Sequence, residues 1–223
     1  MAAKDGSRFL VSATPVTVIA HLFGVASVKL MLVWILHFRG GASLTSDNKE
    51  QLFNVISLAL FFNQLLKLVS AAMAYKIVPG TRKAQRFVHM ALLLISLSMA
   101  AFGLYIVFKF QHDIGMPNMY SVHSWLGMGT VCLFALQWFI GFFAFLFPGA
   151  QWMTRARLLP WHAFFGFVIF AMAICSAETG LIQKFIFIGL FRGSEALIVN
   201  FIGLTTLLFG ISVGLAIILP CSY

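Results

Sequence analysis

The sequence predicts an all-α integral membrane protein of six transmembrane helices, and three observations predict it. Of 223 residues, 61% are hydrophobic and only 9% charged, with a mean hydropathy of +0.97, which excludes a soluble domain of ordinary surface. Six apolar runs follow one another along the chain, each long enough to cross about 30 Å of hydrocarbon as a helix that satisfies its own backbone groups. Finally, His89, His123 and His162, three of only six histidines, each fall just inside the start of a different run.

The predicted spans are 15–36, 52–73, 87–108, 122–147, 161–183 and 196–219. The first follows a polar stretch, residues 1–12, and has no small-residue cleavage pattern after it, so it reads as a retained helix and not a signal peptide. His21 within it and His37 at its far end read as packing and interface residues, while Lys29 is out of place there. The second span carries Asn63, Gln64 and Lys67. A lysine near mid-membrane costs roughly 2.5 to 3.5 kcal/mol on insertion scales unless it snorkels or finds a partner. The third brings in His89 and the fourth His123; the fifth brings His162 with Gly166 and Gly180, small residues that let a flat group approach the backbone. The sixth closes a single domain covering residues 1–223, in which no internal repeat or low-complexity stretch is read. Cys132 and Cys175 lie inside spans and Cys221 at the tail, a pattern of small packing residues with neither a disulfide framework nor a zinc spacing.

Basic residues set the orientation. Lys4, Arg8, Lys76, Arg82, Lys83, Arg86, Arg155 and Arg157 fall on one side, against Arg39, Lys49, Lys109, Lys184 and Arg192 on the other, where Asp47, Glu50, Asp113 and Glu195 share the loops. The Lys/Arg excess predicts both termini in the cytoplasm. The net charge of +9 is then mostly a topology signal. Nucleic acid is excluded as a partner because the positives are scattered over separate loops.

An imidazole buried in a membrane helix needs a reason, and axial ligation of haem iron is a standard one. The intervals between the three histidines are 34 and 39 residues, each about one crossing, a return loop and the next crossing. The third and fifth helices start from the cytoplasmic side, so His89 and His162 share a depth and can pair. His123 starts a helix from the opposite side. A second ligand at the depth of His123 would come from the start of the second helix, which enters from the same side. There the sequence reads Phe53-Asn54-Val55-Ile56-Ser57, with no imidazole. His112 falls in an exposed loop, where it reads as a solvated residue or a substrate contact.

The runs Trp34-Ile35-Leu36-His37-Phe38-Arg39-Gly40-Gly41, Ser46-Asp47-Asn48-Lys49, Phe53-Asn54-Val55, Ala74-Tyr75-Lys76, Pro117-Asn118-Met119-Tyr120-Ser121-Val122-His123-Ser124-Trp125 and Leu159-Pro160-Trp161-His162 carry a family resemblance. Together they resemble the plant cytochrome b561 family, the transmembrane ascorbate ferrireductases, over nearly the whole chain. The resemblance implies six helices whose central four hold two haems b, with ascorbate oxidised on the cytoplasmic side and monodehydroascorbate or ferric chelates reduced on the other. It implies that His89 and His162 ligate the cytoplasmic haem and His123 the non-cytoplasmic one. Lys76 matches a basic residue at a haem edge, Lys83 and Arg155 match positions assigned to ascorbate, and Asn118 and Tyr120 match a turn that contacts the non-cytoplasmic haem. Cationic donors suit a monoanionic enediol, although the same residues also serve as positive-inside signals.

Departures from the family cluster in one place. Ile56-Ser57 stands where the family has His-Pro at the start of the second helix, and the stretch to about residue 72 loses the family's glycine-rich pattern. Gln183 stands where the family often has Glu, and in Gln111-His112 the family's loop histidine falls one position earlier. Three readings follow: an ascorbate-driven electron conduit impaired at the outer haem; a single-haem paralogue that binds haem or ascorbate without passing electrons across; and a transporter or scaffold without redox chemistry, against which both cytoplasmic ligands argue. Membrane identity, whether tonoplast, another endomembrane or plasma membrane, and assembly as a homodimer are left open by the sequence.

Overall fold

The computed structural model describes residues 13–44, 51, 54–55 and 81–218, and among these it has helices and turns but no strand. Helix α1 (Ala13–Val33) continues through a π-helical turn (Trp34–Phe38), α2 is Arg82–Asp113, α3 (Val122–Gly141) continues through a second π-helical turn (Phe142–Leu146), α4 is Trp152–Phe187, and α5 is Ser194–Ile218. All five are long and apolar enough to cross a membrane. They account for the first, third, fourth, fifth and sixth predicted spans. The second, 52–73, lies outside the described residues apart from Asn54 and Val55, and with it lie Ile56, Asn63, Gln64, Lys67 and, just beyond, Lys76.

The helices run past the apolar runs that reveal them. α2 begins at Arg82, so Arg82, Lys83 and Arg86 are helical and not loop residues; α4 begins at Trp152, which carries Arg155 and Arg157 onto its first turns and leaves Pro160 inside the helix. At the other ends, Lys109 and Lys184 also belong to α2 and α4. Hydropathy marks the hydrocarbon boundary, whereas the helical ladder continues into the interface for as long as its hydrogen bonds pay no penalty there. Thr81 caps α2, its hydroxyl accepting from the Ala84 amide at 3.3 Å, and Ser121 caps α3 by accepting from the Ser124 amide at 3.2 Å.

Packing divides the molecule into an α1–α5 pair on one flank and an α3–α4 pair against which α2 and α5 lie. Ala20, Phe170, Ile174, Phe209 and Val213 form one buried cluster across α1, α4 and α5, and Met31, Trp34, Ile35, Val199 and Ile202 form a second at the far end of α1 and the start of α5. That end is tied by polar contacts. Glu195 accepts from the Trp34 indole N–H at 2.8 Å and pairs with Arg39, while the Asn54 amide donates to the carbonyls of Arg39 and Gly41 at 3.1 and 2.7 Å. Gly40 and Gly41, at φ 66° and 86°, make the reversal after α1 that brings those carbonyls to Asn54.

Large apolar side chains are exposed on every helix, Leu22, Phe102, Leu136, Phe164 and Leu207 among them. In lipid this exposure carries no penalty. Lys29 and His21 also face outward from α1, where the His21 ring donates from Nδ1 to the Thr17 carbonyl at 2.7 Å. So do Cys132 and Cys175, which are exposed and not packed as their small size suggested.

Candidate functional site

α3 and α4 run antiparallel and meet along matching stripes. On α3 the stripe is His123, Gly127, Thr130, Phe134, Gln137 and Gly141; on α4 it is His162, Gly166, Ile169, Ala173, Ser176 and Gly180, each 39 residues after its counterpart. Alternating steps of four and three keep such positions on one helix face. The glycine surroundings show how the stripes meet. A Cβ at Gly180 would lie 2.8 Å from Cε1 of His123, and one at Gly141 would lie 2.9 Å from Cε1 of His162. Between them, Gly127 faces the Ser176 hydroxyl and Gly166 faces the Gln137 amide, and Thr130, Phe134, Ile169, Ala173 and Ser176 are buried. The pair therefore has an approximate two-fold relation, with a histidine at each end laid on the other helix's glycine.

The sequence reading of no internal repeat needs this amendment: the recurrence is confined to the contact stripe, where two glycines and a histidine repeat and the intervening residues do not. Gly166 and Gly180 also differ from expectation, since they receive the Gln137 amide and the His123 ring, side chains of the neighbouring helix. Within each helix the histidine and its glycine are 18 residues apart, five turns and about 27 Å. His123 and His162 thus occupy opposite ends of the bundle, as the alternation of helix direction predicts.

Each imidazole has a distinct second contact. Nδ1 of His123 is 3.0 Å from the Ser176 carbonyl oxygen and 3.4 Å from the Thr179 hydroxyl. A carbonyl only accepts, so Nδ1 carries the proton and Nε2 keeps a free lone pair, the form that ligates iron. At the other end the Gln137 amide nitrogen donates to the His162 carbonyl at 2.7 Å and lies 3.0 Å from Nδ1 of the same residue, with the Phe145 ring 5.1 Å from the imidazole. His89 of α2 is near enough to His162 to interact with it electrostatically. The chemistry of this donor set fits haem: His89 and His162 lie toward one end of the bundle, and His123, its proton held on Nδ1, stands at the other. Among the described residues no three His, Cys, Asp or Glu side chains converge.

The remaining expected residues fall at the two rims. Lys83 is exposed and Arg155 half-buried, six residues before His89 and seven before His162, hence about 9 and 10.5 Å outside those histidines along their helices. At the opposite rim Asn118 and Tyr120 are exposed in the turn before α3. The Gln183 amide donates to the Tyr120 hydroxyl at 3.0 Å and accepts from the Ser121 hydroxyl at 3.1 Å. Gln183, noticed in the sequence only as a departure, thus joins the end of α4 to the cap of α3. His112 is 90% exposed at its side chain, beside Asp113, and His37 is exposed with an edge contact to Phe38. Sequence reasoning missed Gln137, Gly127 and Gly141, which the 39-residue recurrence beginning at His123 could have revealed.

A family model described as eukaryotic cytochrome b561 matches residues 55–188. The probable ascorbate-specific transmembrane electron transporter 1 of Oryza sativa subsp. japonica is 40% identical over 215 residues, covering 94% of this chain and 92% of the rice protein. The transmembrane ascorbate ferrireductase 2 of Arabidopsis thaliana is 37% identical over 213 residues, 93% of each protein. A lysosomal membrane ascorbate-dependent ferrireductase of Bos taurus is 33% identical over 211 residues, 90% of this chain and 78% of its own length. Similarity of this extent, running through all of α2, α3 and α4, means that the chain belongs to the eukaryotic cytochrome b561 family.

Proposed function

We propose that this protein is a transmembrane oxidoreductase that takes electrons from ascorbate on the cytoplasmic side and delivers them to monodehydroascorbate or a ferric chelate on the other, with the outer stage impaired. One observation carries the reading: His123 and His162 stand about 27 Å apart along one helix pair, each bedded on a glycine of the other helix. The relatives' names, ascorbate electron transporter and ascorbate ferrireductase, supply the donor and acceptor classes.

Haem b, when bound, supplies a one-electron carrier, and His89 with His162 would hold it at one end and His123 at the other. The chain's own residues do the rest. Gly141 and Gly180 let the Cε1 edges of the imidazoles come close to backbone, and the Ser176 carbonyl fixes the proton of His123 on Nδ1. Neither α2 nor α4 has an acidic residue in its first turn; instead Arg82, Lys83, Arg155 and Arg157 add positive charge where the helix dipole is already positive. That is an unfavourable arrangement for cations alone and a favourable one for an anion held between them. Lys83 and Arg155 would therefore bind ascorbate, with Lys76 at the haem edge, and Asn118 and Tyr120 would border the outer haem.

Ile56 favours a second reading, because an apolar side chain stands where the family has a ligand histidine. A single-haem paralogue would bind haem through His89 and His162 and pass no electron across. Haem stoichiometry separates the two. A pyridine-haemochrome assay of the purified protein should give between one and two haems per chain if the outer site is impaired, and one if it is vacant. His89→Ala and His162→Ala should each abolish the low-spin bis-imidazole spectrum of the cytoplasmic haem. Variants that both retain it unchanged would disprove the pairing.

A further inference from the structure

We propose that Gln137 is a positioning residue for His162, that its amide turns over when His162 acts as a ligand, and that its hydrogen bond to Nδ1 sets the reduction potential of the haem held there. The proposal rests on the reading of His162 as a haem ligand. Its starting point is the near symmetry of the α3–α4 pair. Both histidines lie on equivalent glycines, and of the stripe positions whose groups bond to the imidazoles, 137 and 176 are equivalent and chemically different.

Ser176 has a side chain too short to reach across, and its hydroxyl is directed at Gly127, 3.3 Å from where a Cβ there would stand. His123 consequently meets the backbone carbonyl of Ser176, at 3.0 Å. That contact has a single chemical sense, since a carbonyl cannot donate. The His123 proton stays on Nδ1, and Nε2 is ready.

Gln137 reaches two bonds further. Its amide nitrogen spans the His162 carbonyl at 2.7 Å and Nδ1 at 3.0 Å, donating to both. With a donor facing Nδ1, the ring proton sits on Nε2, the nitrogen that has to face iron. Ligation through Nε2 requires the proton on Nδ1 instead, which would set two N–H groups against each other. A half-turn of the amide removes the conflict: Oε1 then accepts from Nδ1–H, one proton leaves Nε2, one is taken at Nδ1, and the net proton count is unchanged. Because Oε1 and the His162 carbonyl oxygen are both acceptors, the turned side chain also swings away from that carbonyl, which the helical amide four residues on still serves. Gly141 against the Cε1 edge of the ring and Phe145 beside it hold the imidazole while the amide turns.

Once turned, the amide oxygen draws on the Nδ1 proton and makes the imidazole a stronger donor, favouring ferric iron. Replacements at 137 should therefore move the potential in opposite directions. The experiment is a spectroelectrochemical titration of purified wild type, Q137E and Q137L, with H162A and H123A to assign each component. Q137E should shift the component that H162A removes to lower potential, and Q137L should shift it to higher potential, with the component tied to His123 unmoved. Unchanged potentials in both variants would overturn the proposal, and so would shifts of the same sign, which packing alone produces. Should Q137L lose the haem, Q137E decides by itself, since it keeps the reach and shape of glutamine. If H162A leaves the low-spin haem intact, the ligand reading itself fails; if H162A removes it and the Gln137 variants titrate like wild type, only this proposal does.

Discussion

The imidazoles were legible at the residue scale because a polar ring inside an apolar run is costly and so demands an explanation. Their seats were not. Glycine is common in membrane helices, and nothing in the sequence around Gly141 or Gly180 says that a ring from another helix occupies the space where Cβ would be. The structure gives these two glycines a testable role. Gly141→Ala puts a methyl 2.9 Å from the His162 ring and Gly180→Ala one 2.8 Å from the His123 ring, below any real Cβ contact, so the imidazole must move. Overpacking of this kind costs typically about 1–3 kcal/mol. Gly141→Ala should therefore lose the low-spin haem of the His89–His162 end, read from the reduced-minus-oxidised spectrum, whereas Gly180→Ala should leave that low-spin signal as it was and lower only what haem binds at His123. Gly129→Ala is the control, because its Cβ would make an ordinary 3.8 Å contact with Met172. If Gly141→Ala and Gly129→Ala give the same spectrum, the ring is not seated as described.

Spans, by contrast, were readable at the scale of the element as far as lipid dictates them and unreadable beyond. Hydropathy located the apolar centres of five helices, yet α2 starts five residues and α4 nine residues before the predicted spans, at Arg82 and Trp152. The reason is that water tolerates helix and coil alike, so polar sequence at the interface leaves the ends to capping, as with Thr81, and to neighbours. Even Pro160 does not end α4. It deprives one carbonyl of its helical amide near the interface, where water can replace the lost bond. Lys83 and Arg155, the proposed ascorbate contacts, are therefore presented from helical first turns and not from free loops. Replacing each by Gln should slow reduction by ascorbate several-fold at low salt, leave reduction by dithionite intact, and show a smaller difference as salt screens the field. Equal ascorbate rates in stopped-flow traces of wild type and variants would reduce both residues to signals of membrane orientation.

Parity governs the whole molecule. Helices that alternate direction put His89 and His162 at one end and His123 at the other, and this much follows from counting spans. The two-fold relation within α3 and α4 does not, because only three of its six stripe positions repeat in kind and the rest, Thr130 against Ile169 or Phe134 against Ala173, share only burial. That relation sharpens the question of the outer end. The glycine seat and the free Nε2 are present at His123, so on the proposed function the component to supply is a partner imidazole at position 56. Asn54 anchors that start by donating to the carbonyls of Arg39 and Gly41, two residues before Ile56. Ile56→His should raise haem content toward two per chain and increase electron flow from ascorbate inside proteoliposomes to a ferric chelate outside. Asn63, Gln64 and Lys67 would still face an apolar macrocycle if they line the same helix, so the gain should be partial. An unaltered protein that already carries two low-spin haems would show that another residue completes the outer site and that Ile56 marks no defect.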